Sequence, residues 1–335
     1  MLPKPSVKLL QPSLTLPDKY LWDFWLVQEN SDYHLFYLQS PRSICLFDPE
    51  KRHWNVSIGH AITQDFQHWE RLPDALSPGL SGGHEERSTW TGSIIRHDNL
   101  WYLFYTSTHK EENGCIQRIS LATSTDLIHW KKYPKNPLFE ADDRYYEKLD
   151  FDLWCDRAWR DPWVFKHPET GEFHAFITAR ANYGPSNCRG VIAHATSQNL
   201  IDWQVQPPLT EPGYFSNMEC PHLTKIGNRY YLLFSVPPGQ VVGTKMTGTC
   251  YMVADNPLGP FSPPKNFMAN PYEQLFAGKL MQGPDEQWYC LTWRNLNPDG
   301  SFIGDLAEPL PIMVDYKGDL EVKSPRNFSE LKLVA

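Results

Sequence analysis

Internal repetition constrains this chain more than any other feature, because similar segments follow one another along the sequence. Each segment pairs an aromatic run with a later run of small residues. The clearest copies read YHLFYLQS (33–40) with SIGHAITQDFQHW (57–69), WYLFYTST (101–108) with ISLATSTDLIHW (119–130), and FHAFITAR (173–180) with VIAHATSQNLIDW (191–203). Two weaker copies read YYLLFSVP (230–237) with CYMVADNPLGPF (250–261), and WYCLTWRN (288–295) with PIMVDYKGDL (311–320). The chain therefore contains five units of one kind.

Each unit has the composition of consecutive β-strands. Alternating aromatic residues favour strands, Gly- and Pro-containing stretches favour turns, and no segment keeps a 3.6-residue apolar period. The closing tryptophans Trp69, Trp130 and Trp203 stand 61 and 73 residues apart, a spacing that fits a four-stranded sheet with its loops. The sequence therefore predicts an all-β fold, a single five-bladed β-propeller of four-stranded blades. A β-sandwich with coincidental similarity is the alternative.

The repeats also set the expected domain boundaries. We expect an N-terminal extension over 1–19, the propeller over 20–320, and a C-terminal tail over 321–335 that closes the propeller. With 14% aromatic and only 21% charged residues, a chain of this length can bury a large core and is not disordered.

Charge and cysteine content narrow the partners and the compartment. A net charge of −8 argues against nucleic-acid binding, and no apolar run is long enough for a membrane span. The seven cysteines are scattered singly, and the first residues lack the apolar stretch of a signal peptide. We therefore expect a cytoplasmic protein, with secretion left open if a leader has been trimmed. The oligomeric state is left open.

The segment before each aromatic strand should line the central channel, since the innermost strand of a propeller blade faces the axis. These segments read LWDFWL (21–26), STWTGSII (88–95), AWRDPWVF (158–165), SNMECPHL (216–223) and EQLFAGKLM (273–281). Three of them carry an acid, namely Asp23, Asp161 and Glu219. Acids are disfavoured in strands and are rarely buried without partners. One such acid alone is most simply a surface-loop residue, whereas three at matching places indicate a function.

Carboxylates that converge on a channel suit the hydrolysis of glycosidic bonds. A carboxyl group whose pKa is raised can act as an acid while a second one stays ionised. Tryptophan rings beside the acids, at Trp22 and Trp90, can pack against the C–H face of a sugar. With 13 tryptophans in the chain, most of the others must belong to the core.

Other polar residues of these segments are weaker candidates. They are His60 and His194, expected as hydrogen-bonded structural histidines between blades; Cys220, expected as buried packing; Arg180 and Asn182, which could reach the channel mouth; and Glu273 and Lys279, which could line the channel from the fifth blade.

At these positions the sequence resembles the five-bladed propeller glycosidases, above all glycoside hydrolase family 32. The resemblance covers about 20–320 and rests on an ordered set of short motifs. They are HWNVSIGHAITQDFQHWERLPDAL (53–76), WTGS (90–93), RDP (160–162) and MECP (218–221). Any one tripeptide is weak, but the set in this order, on the expected blades, is specific.

The resemblance implies a reaction and a role for each acid. Asp23 corresponds to the nucleophile, Glu219 to the general acid/base, and Asp161 to the transition-state stabiliser, oriented by Arg160. Substrate contacts are expected from Trp22, Trp90, Thr91 and Arg160. The family acts on β-fructofuranosides such as sucrose, fructo-oligosaccharides and fructans, with retention, and requires no metal or cofactor. The partner is then a small carbohydrate, and whether water or a sugar accepts the fructosyl unit is left open.

The nucleophile segment departs from the family pattern. Family 32 normally carries Trp-Met-Asn-Asp-Pro-Asn-Gly, whereas this chain has Leu-Trp-Asp-Phe-Trp-Leu over 21–26, a form similar to family 68 of the same clan. We expect no C-terminal β-sandwich, which is usual in family 32, within this sequence. Two alternatives stay open: an inverting family 43-type arabinofuranosidase or xylosidase, and a catalytically inactive sugar-binding propeller.

Overall fold

Five antiparallel sheets make up the computed structural model, which describes residues 10–45, 48–240, 246–267, 275–297 and 299–323. The first four sheets have four strands each. Blade I comprises Lys19–Glu29, Asp32–Pro41, Ser57–Thr63 and Glu70–Leu76; blade II comprises Ser88–His97, Leu100–Thr108, Gln117–Ser124 and Lys131–Lys132; blade III comprises Trp159–Lys166, Phe173–Arg180, Gly190–Ser197 and Trp203–Gln206; blade IV comprises Glu219–Ile226, Arg229–Val236, Gly248–Ala254 and Lys265–Asn266.

Blade V also extends four strands outward from the axis, but beyond its second strand the sheet divides into two pairs of strands. Its inner strand is Leu275–Gln282 and its second strand is Trp288–Leu296. Beyond the second strand lie two pairs: Phe302–Ala307 with the N-terminal strand Pro12–Leu14, and Leu310–Val314 with Leu320–Val322. The N-terminal strand thus pairs with the last blade, and residues 1–9 and 324–335 of the expected extension and tail lie outside the described residues.

The inner strands of consecutive blades are neighbours, and the inner strand of blade V contacts that of blade I, so the five sheets form a ring. This confirms the predicted five-bladed β-propeller. Three short 3-10 helices, Arg42–Cys45, Pro49–His53 and Ser186–Cys188, lie in the loops. None of the helices in the described part of the chain is long and apolar enough to cross a membrane.

The second strand of each blade carries the aromatic repeat, and it is buried on both faces. In Asp32–Pro41 the eight residues between the two ends are all buried, and Phe173–Arg180 is buried throughout. A blade is sandwiched between two other blades, so both faces of its middle strands are covered. These strands therefore show no alternation of buried and exposed residues, and their polar residues, such as His34 and Thr178, are buried as well.

The Asp or Asn of each closing sequence builds the same turn. The Oδ1 atom of Asp126 accepts hydrogen bonds from the backbone N–H groups of Ile128 and His129 at 2.9 and 2.8 Å. The residue after the acid, Leu127, has a positive φ of 64°. Trp130 then packs edge-on against Phe36 of blade I, with ring centroids 5.7 Å apart. The turn therefore aims the closing tryptophan into the seam between two blades.

Every inner strand is interrupted by a β-bulge at the same level of the channel. The register shifts lie between Trp22 and Phe24 in blade I and at the equivalent pairs of the other blades, Trp90/Gly92, Arg160/Trp163, Glu219/His222 and Phe276/Lys279. In blade II the bulge needs glycine, because a Cβ atom on Gly92 would lie 1.9 Å from the carbonyl oxygen of Phe104. A bulge leaves one residue outside the ladder and redirects its side chain.

Candidate active site

The bulges bring the three predicted acids together, although not in equivalent positions. Asp23 and Asp161 are the bulge residues of their strands, with φ values of 27° and 57°. In blade IV the residue with positive φ is Cys220, at 54°, and Glu219 precedes it. Glu219 therefore corresponds to Arg160 in blade III, and the two side chains face each other across the boundary between the blades.

Asp23 is held by two donors from different blades. Its Oδ2 accepts from the hydroxyl of Thr91 at 2.9 Å, and its Oδ1 accepts from the indole N–H of Trp293 at 3.0 Å. Burial, together with the nearby charge of Asp161, raises the pKa of Asp23 from 3.8 to about 6, against the opposing effect of these hydrogen bonds and of Lys279.

Asp161 is buried, with 5% of its surface exposed, and its carboxylate is surrounded by donors. Its Oδ2 accepts from the hydroxyl of Thr178 at 2.9 Å and from the backbone N–H of Cys220 at 3.1 Å. The backbone N–H of Asp161 donates to Thr106 at 3.0 Å, which fixes the bulge itself. Both the carboxylate and its backbone are therefore fixed by neighbouring strands.

Glu219 and Arg160 form an ion pair at the wall of the channel. Nη2 of Arg160 lies 2.7 Å from Oε1 of Glu219, and its Nη1 donates to Gln117 and Asp156 at 3.2 and 3.3 Å. Burial raises the pKa of Glu219 to about 7; Arg160 opposes this shift, while the charges of Asp161 and Asp23 add to it. Glu219 therefore exchanges its proton near neutral pH.

Asp23 and Glu219 line the same cavity, whose volume is about 660 Å³. This volume is within the range of small-molecule sites. Aromatic, charged and amide side chains form the rest of the wall, including Tyr20, Trp22, Arg52, His53, Gln240, Phe276, Trp293, Asn295 and Phe302. The arrangement offers two titrating carboxyl groups and aromatic surfaces around one ligand-sized space.

The predicted ligand-binding residues lie around these acids in different ways. Trp22 lines the cavity, although only 1% of its surface is exposed. Trp90 donates to the carbonyl oxygen of His53 at 3.1 Å, and both tryptophan rings meet the His53 ring edge-on. Thr91 is buried and contacts Asp23, so its hydroxyl acts on the carboxylate. The unusual Phe24 and Trp25 of the nucleophile segment are completely buried in the core.

The weaker candidates among the described residues make structural contacts and do not line the cavity. His60 and His194 hydrogen-bond to His34 and His174 at 2.9 and 2.8 Å. Each pair joins adjacent strands of one blade, and the two rings are hydrogen-bonded and structural, as expected. Arg180 is buried in an ion pair with Glu147 at 2.6 Å, and Asn182 donates to loop carbonyls. Cys220 is buried, as expected, and Lys279 is buried on the inner strand of blade V. Glu273 lies outside the described residues.

Sequence reasoning missed Trp293 and Thr178, the donors that the second strands supply. A signal was present, because both residues occupy the sixth position of the aromatic repeat, together with Thr106 and Ser235. Ser235 accepts from the backbone N–H of Ala277, the residue with positive φ in blade V, at 2.9 Å. The sixth position thus supports the bulges, and the hydroxyl residue that it carries in three of the five runs was the available signal.

Comparison with known proteins identifies the family. The model of the glycosyl hydrolases family 32 N-terminal domain matches residues 25–301. The chain is 26% identical to a sucrose-6-phosphate hydrolase of Zymomonas mobilis, over 80% of this chain and 51% of that protein. It is 28% identical to an extracellular exo-inulinase of Aspergillus awamori, over 71% of this chain and 46% of that protein. The chain therefore spans about half the length of these relatives.

Solved structures share the fold at lower identity. The inulosucrase of Halalkalicoccus jeotgali superposes with a TM-score of 0.77 at 20% identity, covering 94% of this chain and 90% of that one. Fructan 1-exohydrolase IIa of Cichorium intybus gives a TM-score of 0.67 at 19% identity, covering 95% of this chain and 60% of that one. At these identities the structures support the propeller fold alone. The family model spans most of the ring, including Asp161 and Glu219 but not Asp23, and the chain therefore belongs to glycosyl hydrolase family 32.

Proposed function

We propose that this protein is a glycosidase that cleaves β-fructofuranosides by a retaining double displacement. Asp23 is the nucleophile, Glu219 the general acid/base and Asp161 the transition-state stabiliser. Sucrose, fructo-oligosaccharides and fructans are the substrate class, because the relatives in this family include a sucrose-6-phosphate hydrolase, an extracellular sucrase and an exo-inulinase.

One observation carries the proposal: two carboxyl groups with raised pKa values face one cavity from different blades. Asp23 accepts hydrogen bonds from Thr91 and Trp293, and such donors favour the ionised form that a nucleophile needs. Glu219 has the higher pKa, about 7, so it is the group that keeps a proton at mildly acidic pH. Different surroundings thus divide the two roles between two similar side chains.

The reaction then follows in two balanced steps. Asp23 attacks the anomeric carbon of the fructosyl unit while the proton of Glu219 passes to the departing oxygen, which leaves a covalent fructosyl-enzyme. Glu219, now ionised, takes a proton from the incoming water or sugar hydroxyl, whose oxygen displaces Asp23. Asp161 and the other carboxylates stabilise the positive charge that develops on the sugar ring.

Four further residues hold the acids in position or bind the sugar. Arg160 orients Glu219 through the ion pair at 2.7 Å and approaches Asp161, with 3.8 Å between its Nε and Oδ2. Trp22 gives the fructosyl ring an apolar wall, and Trp90 supports that wall through His53. Thr91 acts chiefly as a donor to Asp23. Fructosyl transfer to a sugar acceptor is a second outcome of the same chemistry.

The experiment that tests this function is product analysis by carbohydrate chromatography. Purified wild type, Asp23→Asn and Glu219→Gln are incubated with sucrose, inulin, levan and arabinan. We expect fructose or fructo-oligosaccharides from wild type, and a loss of at least about a thousandfold in kcat in the Asp23 variant, since the covalent step has no substitute. Asp126→Asn, an exposed turn variant, is the matched carboxylate-to-amide control and should keep wild-type rates.

Methanol as acceptor separates retention from inversion. A retaining enzyme produces the methyl β-fructofuranoside, which does not mutarotate and can be identified by NMR. Arabinose from arabinan with inverted configuration would replace the proposal by the family 43-type alternative. If purified, folded wild type releases sugar from none of the four substrates, the proposed activity is wrong, and a sugar-binding propeller takes its place.

The proposed compartment is the cytoplasm. All seven cysteines are free thiols in the structure, including five that are buried. Unpaired cysteines are typical of reducing compartments. The relatives include an extracellular sucrase as well as a sucrose-6-phosphate hydrolase. Fractionation of the cells that make the protein tests the proposal, and recovery of the activity outside the cell would contradict it.

A further inference from the structure

Lys279 is a buried cation below the acids that the reaction above does not use. It lies on the inner strand of blade V, and 3% of its surface is exposed. By register it corresponds to Trp25, Ser93, Trp163 and His222 in the other blades, none of which carries a full positive charge at neutral pH. Burying an ammonium group is costly unless something nearby compensates its charge.

The contacts of Lys279 lead directly to the bulge that carries Glu219. Its Nζ donates to the carbonyl oxygen of Cys220 at 2.9 Å and lies 3.5 Å from that of Pro221. On its other side, the backbone N–H of Cys220 donates to Oδ2 of Asp161 at 3.1 Å. The backbone of Cys220, the residue after Glu219, thus connects the ammonium group of Lys279 with the carboxylate of Asp161.

Lys279 adds a second cation to the acids of the channel. Asp23, Asp161 and Glu219 contribute three carboxyl groups, and Asp156 is a fourth. Arg160 is shared between Glu219 and Asp156, at 2.7 and 3.3 Å. Lys279 is therefore the cation that acts on Asp23, where its charge favours the ionised carboxylate.

We infer that Lys279 is a positioning residue: it fixes the blade IV bulge and supplies the second cation, which favours the ionised form of Asp23 while Glu219 keeps its proton. The inference rests on the proposed function, which assigns those protonation states. The other titratable groups that face this cluster are the thiols of Cys220 and Cys290 and the imidazole of His222, and burial keeps all three neutral at the pH of the reaction.

Loss of the Lys279 charge should shift the pH profile in one direction only. Lys279 lowers the pKa of Asp23 against the effect of burial, so its removal raises that pKa above about 6. The acidic limb of kcat/KM reports the ionisation of the nucleophile and must then move to higher pH. A merely structural role would lower kcat/KM equally at every pH.

The test compares Lys279→Gln with Lys279→Arg. The glutamine amide can still donate to the carbonyl oxygen of Cys220 but carries no charge, whereas arginine keeps the charge. We expect the acidic limb of kcat/KM to rise by about one pH unit in the glutamine variant, a tenfold loss of activity at pH 5, and to stay in place in the arginine variant. Lys225→Met, an exposed lysine of the blade IV inner strand, is the control and should not change the profile.

An activity-independent measurement separates this inference from the proposed reaction. The folded-state pKa values of Asp23 and Glu219, about 6 and about 7, exceed their ordinary values of 3.8 and 4.5, so stability falls as the pH rises from about 4 to about 7. Loss of the compensating cation enlarges that fall. The difference in Tm between wild type and Lys279→Gln should therefore be larger at pH 8 than at pH 5.

Each outcome decides the inference. An unmoved acidic limb with an equal Tm difference at both pH values would overturn it, as would equal limb shifts in the glutamine and arginine variants. If wild type hydrolyses no fructoside, the proposed function fails on its own, and the Tm comparison still decides whether Lys279 compensates the carboxylates. If Lys279→Gln does not fold, Lys279→Met takes its place, because it fills a similar volume without a polar atom.

Discussion

At the scale of single residues, the site gives two carboxyl groups different properties through their neighbours. Asp23 and Glu219 are both buried and both titrate above their ordinary values. Asp23 is paired with neutral donors, Thr91 and Trp293, while Glu219 is paired with the cation Arg160. The pKa of Glu219 is nevertheless the higher one, because burial raises it most and the charges of both aspartates add to that effect.

These values predict a narrow pH optimum for wild type. kcat/KM should rise as Asp23 ionises, with a pKa of about 6, and fall as Glu219 loses its proton, with a pKa of about 7. The maximum is therefore expected between these two values, and each limb reports the coupled pair rather than one residue alone. Steady-state rates between pH 4 and 9 on the best fructoside measure it.

The Glu219→Gln variant provides the internal control for that profile. Its residual activity should lose the alkaline limb, because glutamine has no proton to release in this range, and keep the acidic one. A wild-type profile that is flat from pH 5 to pH 8 would contradict both assignments.

At the scale of elements, the repeated strand and turn pattern was predictable, whereas the bulges were not. The segment before each aromatic run, the aromatic run itself and the run of small residues located three strands in each clear repeat, because burial and turn chemistry are local. A bulge inserts one residue into a strand, which changes the level of every side chain after it. For this reason the sequence placed Glu219 level with Asp161, while the structure places it level with Arg160.

The turn chemistry leads to a prediction about stability. In blade II Asp126 closes the turn with its Oδ1, and in blade III the side-chain oxygen of Asn199 does the same, accepting from Ile201 and Asp202 at 3.0 and 2.8 Å. Asp126→Asn should therefore be nearly neutral, whereas Asp126→Ala should lower the free energy of unfolding by about 1 kcal/mol. Urea unfolding of the three proteins measures the difference.

The same variants should leave catalysis intact, since the turn lies on the outer part of blade II. Unchanged kcat/KM in both is the control that the effect concerns stability. An alanine variant as stable as the asparagine variant and the wild type would show that the side-chain oxygen is not what holds the turn.

At the scale of the whole molecule, the ring brings together residues that are distant in sequence. Trp293 reaches Asp23 across a separation of 270 residues, and the N-terminal strand Pro12–Leu14 pairs with blade V. Repeat counting predicts that the ring closes, but not which side chain of blade V meets the first acid. The resemblance to family 32 predicted the roles of the acids and their motifs, and the family model confirms that family. The similarity of the nucleophile segment to family 68 stays a prediction.

The central claim, that Asp23 is the nucleophile and Glu219 the acid, is tested most directly by trapping the covalent intermediate. β-Fructofuranosyl fluoride needs no proton for its leaving group, so Glu219→Gln should form the fructosyl-enzyme but hydrolyse it slowly without a base. Rapid denaturation, digestion and mass spectrometry should locate one fructosyl unit on Asp23, and Asp23→Asn should carry none. A label on Asp161, or an unlabelled protein that still consumes the fluoride, would contradict the assignment.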